Sequence, residues 1–235
     1  DEAVRELLKH EGLQDVDLVL TVQEFAAMLE RRGIDLMSLE PADFDSPFMS
    51  EGSGAAQLFA TTGGVMEAAL RTVSALAGGP DLGRIAFQPV RGLANFKEAE
   101  VDTKVFGKLR IAVVHGMRAA DEVIELVRSG RSPYHFVEVM ACPGGCVGGG
   151  GTARGILWRR TLDRRQTAVY DTDAAMKVRA SHENEDVAKL YREFLGKPGS
   201  ELAHELLHCG YKARERRAEK PDYQTIESAV ELASV

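Results

Sequence analysis

Residues 135–151 read H-F-V-E-V-M-A-C-P-G-G-C-V-G-G-G-G. The first six alternate as a half-buried strand does, and the strand runs straight into a loop made almost entirely of glycine. Upstream, residues 109–114 (L-R-I-A-V-V) are the clearest strand of the chain. Residues 119–129, with Val123, Ile124 and Val127 along one side, are a helix between the two. Strands alternating with helices indicate an α/β fold. In open α/β sheets ligands sit beyond the carboxyl ends of strands, where this loop lies. A glycine run gives up packing and backbone entropy for close approach, and the thiols of Cys142 and Cys146 point to a metal centre.

Working outward, residues 17–22 (D-L-V-L-T-V) suit a buried strand, and Thr21 and Glu24 have capping-box spacing for a helix through Phe25 and Leu29 that ends at Gly33. Residues 41–54 read as a loop. Residues 65–76 predict a strong helix closed by Gly78, Gly79 and Pro80, and residues 85–90 a strand. Residues 183–195 and 200–208 predict two helices, the first carrying Val187, Leu190, Tyr191 and Phe194 at helical spacing. Residues 212–220 are a charged, solvated stretch. The expected architecture is an α/β lobe over residues 1–172, with a mixed or mostly parallel sheet flanked by helices, and a helical C-terminal extension over residues 173–235.

The 235 residues carry 29 basic and 36 acidic side chains, for a net charge of -7. No basic run points to nucleic acid, no apolar run approaches membrane-spanning length, and the start is not a signal peptide. Three cysteines make no disulfide framework and fit a reducing, cytoplasmic compartment. The chain opens without Met inside an amphipathic helical pattern (Val4, Leu7, Leu8), which predicts a fragment, a processed chain or one half of a split protein.

The spacing of Cys142 and Cys146 differs from the C-x-x-C of zinc ribbons. Gly144 and Gly145 let the backbone wrap an inorganic core, with their N–H groups set to donate to cluster sulfurs. A cubane iron–sulfur cluster takes four cysteines, so the loop is incomplete by itself. Gly148, Gly150 and Ala153 fit the dinucleotide pattern G-x-G-x-x-A, but residues 156–159 do not clearly open the helix that pattern requires. His204, Glu205 and His208 match H-E-x-x-H, a zinc hydrolase pattern with Glu219, Glu227 or Glu231 as third ligand. Cys209 reads as a small buried hydrophobe, Ser181 as a helix N-cap, and His182 as a group able to hydrogen-bond across to another segment.

The loop resembles the third signature of the iron-only, or FeFe, hydrogenases. The similarity extends to Gly63-Gly64-Val65-Met66-Glu67-Ala68-Ala69-Leu70-Arg71, to Val90-Arg91-Gly92-Leu93 with Lys97-Glu98-Ala99-Glu100-Val101, and to Arg179-Ala180-Ser181-His182-Glu183-Asn184. It also takes in Gly196-Lys197-Pro198-Gly199 and the His204–His208 segment, which demotes the zinc reading. The resemblance implies reversible dihydrogen oxidation and proton reduction at an H-cluster. That cluster is a 4Fe-4S cubane bridged through a cysteine sulfur to a two-iron unit with carbon monoxide, cyanide and a dithiolate. By position Cys142 resembles a cubane ligand and Cys146 the bridging cysteine. Met140 resembles the methionine packed on the two-iron unit, and Phe59 the aromatic that walls the same pocket.

Departures bear on this reading. The family's first two signatures, with the other two cubane cysteines, a proton-relay cysteine and a lysine that contacts a cyanide, are absent, although Glu2-Ala3 looks like the end of the second. Thr152-Ala153 stands where the family usually has Gln-Pro. The expectation is therefore part of a hydrogenase catalytic domain. Its H-cluster is shared with an N-terminal half, on the same or a separate chain, and served by an electron carrier such as ferredoxin or a nicotinamide-linked subunit. The rivals are a hydrogenase-like sensor or iron–sulfur protein without turnover and, behind it, the zinc hydrolase.

Overall fold

The computed structural model describes residues 8–45, 48–80, 82–89, 95–104 and 106–208. Val4 and Leu7, residues 90–93, Cys209, the stretch 212–220 and Glu227 and Glu231 lie outside them. The described residues belong to two compact units, residues 1–190 and 191–235.

The first unit opens with a short hairpin, β1 (Lys9–His10) and β2 (Leu13–Gln14). Its main sheet has the order β3 (Gln88–Pro89), β4 (Phe96–Asp102), β5 (Lys108–His115) and β6 (Phe136–Met140). β3–β4 and β4–β5 are antiparallel, whereas β5–β6 is parallel, so the sheet is mixed. Helix α4 (Met117–Arg128) makes the crossover of the parallel pair. Ile111 and Val113 pack with Met66, Leu70 and Val101 on one face, and Ala112 and Val114 with Phe96, Ala119 and Val123 on the other. Residues Ile111, Ala112, Val113 and Val114 are all 0% exposed, which is why β5 reads as an unbroken apolar run. Met66 and Leu70 belong to α3 (Gly64–Leu76), so a helix covers each face of the sheet.

Helix α1 (Val22–Arg31) starts at Thr21 with a capping box closed by Glu24. The apolar run before it forms no strand: Leu18 and Val19 stay 50% and 54% exposed, and no described strand pairs with residues 17–21. The strand expected over 85–90 shrinks to the two residues of β3, where Pro89 has no N–H for a longer ladder. The loop expected to end at Gly54 gives way to a short helix, α2 (Gly54–Leu58), capped by Ser53, whose hydroxyl accepts from the Ala56 N–H at 3.2 Å.

The longest helix among the described residues, α5 (Trp158–Ala175), has no apolar stripe. Its buried residue is Asp173, which forms a two-pronged pair with Arg71 of α3 (2.7 and 2.9 Å) and a second bond with Arg179 (2.6 Å). Arg71 also donates to Glu67 at 2.6 Å, and the Ile85 N–H and the Tyr170 hydroxyl donate to the same Glu67. Burial pushes the Glu67 carboxyl up. Asp173 is pushed up by burial too, but its hydrogen bonds to Arg71 and Arg179 outweigh that and hold it below its ordinary value. The bond to Asp173 raises Arg71, so the guanidinium stays charged.

The helix expected over 183–195 is present from Glu185 on, and its last five residues are wound as a π-helix. A 3-10 turn (Ser181–Glu183) precedes α6 (Glu185–Leu190) in the first unit, and a π-helical turn (Tyr191–Leu195) opens the second. Asn184, not Ser181, caps α6, accepting from the Val187 N–H at 3.0 Å. His182 does reach across, its Nδ1 lying 3.2 Å from the Thr72 hydroxyl. The second unit also holds α7 (Glu201–Leu207), capped by Ser200. No described helix is long and apolar enough to cross a membrane.

Candidate functional site

The cysteine loop leaves β6 at the carboxyl end of the parallel pair, where the Met140 carbonyl accepts the Gly116 N–H at 2.8 Å. Gly144 and Gly145 have φ of 80° and 91°, the left-handed region that glycine enters without steric cost. At Gly145 a Cβ would stand 2.6 Å from the Thr62 nitrogen, so the α2–α3 junction presses directly on the loop backbone. The Thr62 N–H donates to the Gly144 carbonyl (3.0 Å), and the Val147 N–H to the Ala60 carbonyl (2.9 Å).

One face of α5 seats the other side. Leu162 packs on Gly144 and Gly148, and a Cβ at Gly144 would lie 2.6 Å from its Cδ2. Arg165 donates to the carbonyls of Val147 (3.0 Å) and Ala153 (2.9 Å), and Gln166 to that of Gly144 (3.1 Å). These three side chains share a face because positions three and four apart on a helix are neighbours.

Glu138 sits inside β6 and is 7% exposed. Its carboxylate accepts from the N–H groups of Gly63 (2.6 Å) and Met66 (2.8 Å), pinning the start of α3 to the strand that delivers the loop. Burial raises Glu138, and the two N–H donors offset part of that rise. Burial lowers Lys97, and burial and then Lys97 lower His115. His115 is thus held neutral, as its Nδ1 must be to accept the Gly144 N–H at 3.3 Å.

The Gly144 and Gly145 N–H groups are therefore spent within the chain, on His115 of β5 and on the Cys142 carbonyl (3.0 Å), and are not offered to a cluster. Of the loop's glycines, Gly150 and Gly151 alone donate no N–H among the described residues. Cys142 is half-buried, Cys146 is exposed, and both are free thiols. A Cβ on Gly149 would lie 3.8 Å from the Cys142 Sγ, so the absence of a side chain there leaves the sulfur's flank open. Cys146 lines a cavity of about 430 Å³ with Val22, Ala26, Ala60, Val147 and Arg165. Two soft, unpaired thiols beside bare backbone and an apolar wall fit an iron–sulfur ligand, as half of a four-cysteine set.

Phe59 is the C-cap of α2 and 49% exposed, and Met140 ends β6 half-buried. Neither lines the cavity at Cys146. Sequence reasoning missed Glu138, Thr62, His115, Leu162, Arg165 and Gln166, which hold the loop. A charged residue in the middle of an apolar strand was the available signal for Glu138.

The dinucleotide pattern fails on geometry. Helix α5 does follow, but it starts at Trp158, so the glycines at 148–151 do not form its first turn. For the zinc pattern, the rings of His204 and His208 lie 4.4 Å apart, but His208 has left the helix with φ -114° and ψ 131°. Among the described residues no group of three or more His, Cys, Asp or Glu side chains is placed to hold a metal, and Glu219, Glu227 and Glu231 lie outside those residues.

Residues 1–150 match the family described as iron only hydrogenase large subunit, C-terminal domain, and residues 159–214 match iron hydrogenase small subunit. The chain is 42% identical over 215 residues to the NADP-reducing hydrogenase subunit HndD of Solidesulfovibrio fructosivorans, covering 92% of this chain and 36% of that protein. It is 32% identical over 217 residues to cytosolic iron-sulfur assembly component 3 of Mus musculus, covering 86% of this chain and 42% of that protein. Among solved structures, FeFe-hydrogenase HydA1 from Chlamydomonas reinhardtii superposes with a TM-score of 0.72 at 36% identity, covering 89% of this chain and 59% of that one. The chain thus spans less than half the length of these two curated relatives. By fold and by sequence, this chain belongs to the family formed by the C-terminal domain of the iron-only hydrogenase large subunit.

Proposed function

We propose that the chain is part of an FeFe-hydrogenase catalytic domain and supplies half of the protein ligands of its H-cluster. The observation that carries this reading is the loop itself: two free thiols on a glycine backbone gripped from the α2–α3 junction and from α5, with Cys146 left open to a cavity. Cys142 is read as a cubane ligand and Cys146 as the bridging one, with Met140 and Phe59 beside the two-iron unit. When bound, such a cluster interconverts protons, electrons and dihydrogen. The chain's own work is to hold both sulfurs, keep the loop backbone fixed during electron transfer, and offer the Gly150 and Gly151 N–H groups to anionic sulfur.

The remaining two cysteines come from another segment or a partner chain. Binding of one cluster by both then joins them, since metal-ligand free energy is also assembly free energy. Similarity to an NADP-reducing hydrogenase subunit supports a nicotinamide-linked protein as electron carrier, with ferredoxin as the other candidate. Free thiols and the three-cysteine count suit a reducing cytoplasm.

A second reading, cluster binding without turnover, is supported by the similarity to the iron–sulfur assembly component. One experiment tests both. The chain is matured together with the segment carrying the other two cysteines, and infrared spectra and dihydrogen turnover are recorded. Carbon monoxide and cyanide bands with turnover are expected. Iron and sulfide without those bands would leave the second reading, and absence of iron would defeat both.

A further inference from the structure

We infer that Arg165 is a positioning residue, a clamp that sets the cluster loop by holding the two ends of its glycine run. Its guanidinium donates one N–H to the carbonyl of Val147, just before the run, and another to that of Ala153, just after it. The same side chain lines the cavity beside Cys146 and sits 5.6 Å from the ring centre of Trp158, over which Arg154 also lies at 5.0 Å. The planar fork is what lets one residue reach both carbonyls; a lysine, as a point donor, reaches one at a time. With its ends fixed, the run keeps the Gly150 and Gly151 N–H groups at a constant place relative to Cys146. The inference rests on the proposed function only for what those groups face; the clamp exists in the chain without a cluster.

The test uses the full chain. Hydrogen exchange over residues 147–153 reads the amides of Val147, Gly148, Gly149 and Thr152, each bonded within the site. R165Q is expected to speed exchange there about tenfold while β5 keeps its protection. R165K, which retains the charge, is expected to fall between wild type and R165Q. Emission of Trp158, the chain's single tryptophan, should move to the red in R165Q. In the assembled, cluster-loaded complex the electron paramagnetic resonance spectrum should change in R165Q and recover partly in R165K. Wild-type exchange over 147–153 in R165Q, or equal acceleration in β5, overturns the clamp whatever the cluster does. Absence of any cluster in the wild-type complex strikes the proposed function and leaves the exchange result standing.

Discussion

Gly145 shows how one missing side chain can define a site. Its φ of 91° and the 2.6 Å approach a Cβ would make to the Thr62 nitrogen are independent penalties. Gly145→Ala is expected to cost about 1–3 kcal/mol in unfolding free energy, read by denaturant titration, and to displace the loop enough to weaken cluster uptake. Gly150, with nothing within 4 Å of such a Cβ and a φ outside the left-handed region, should accept alanine with little change in stability. The cysteines and the glycines around them were legible because their residue types are chemically explicit. Arg165, Gln166 and His115 were not: each acts on a backbone carbonyl or N–H, and nothing in a lone Arg, Gln or His reveals such a partner. Glu138→Gln should retain the shape but can accept only one of the two N–H bonds from the start of α3, since its amide nitrogen cannot accept, and a lower melting temperature at pH 7 would report it.

Among the elements, β5 was readable as a strand because its four consecutive apolar residues are buried between two faces, β6 because its residue types alternate although Phe136 and Val139 stay about half exposed, and α3 because its apolar residues meet the sheet. β4 was hidden: its F-K-E-A-E-V-D sequence buries only Phe96 and Val101, and these anchor opposite faces. α5 was hidden for the opposite reason, since its inward face is built from polar groups that only pairing makes acceptable. Asp173 is 2% exposed with two arginine partners, and Asp173→Asn takes the ion pair from Arg179 and leaves the buried Arg71 with Glu67 alone. We expect about 3–5 kcal/mol of destabilisation. Because the folded carboxyl is held below its ordinary 3.8, its stabilisation is full above that pH and is lost as pH falls toward the folded value. Glu67 works in the other direction. Held above 4.5, it adds stability that is full below that pH and lost as pH rises through its folded value. Melting curves from pH 3 to 6 should therefore show a steeper acid loss in wild type than in Asp173→Asn.

For the molecule as a whole, the two family matches meet between the loop and its seat. The cysteine loop ends the large-subunit match at residue 150, and the small-subunit match opens at residue 159, so Leu162, Arg165 and Gln166 fall within it. The segment between holds Gly155, where an added Cβ would meet only open space, and Ile156, which is fully exposed. Brief thermolysin digestion should cut before Ile156, and the two pieces should co-elute on gel filtration because the Arg71–Asp173 pair and the α5 face hold them. Separation of the pieces without denaturant would show that the chain connection, not the packing, holds α5 in place.

The Arg71–Asp173 contact spans 102 positions, and its later partner lies beyond the loop it helps to fix. On a ribosome adding about 5–20 residues per second, the thiols emerge roughly one to six seconds before Asp173 does. In that interval the nascent chain presents two cysteines on an unsupported glycine tether, able to meet oxidants or the wrong metal. On the proposed function, a cluster delivered to this loop meets its finished seat only if delivery waits until α5 has been made.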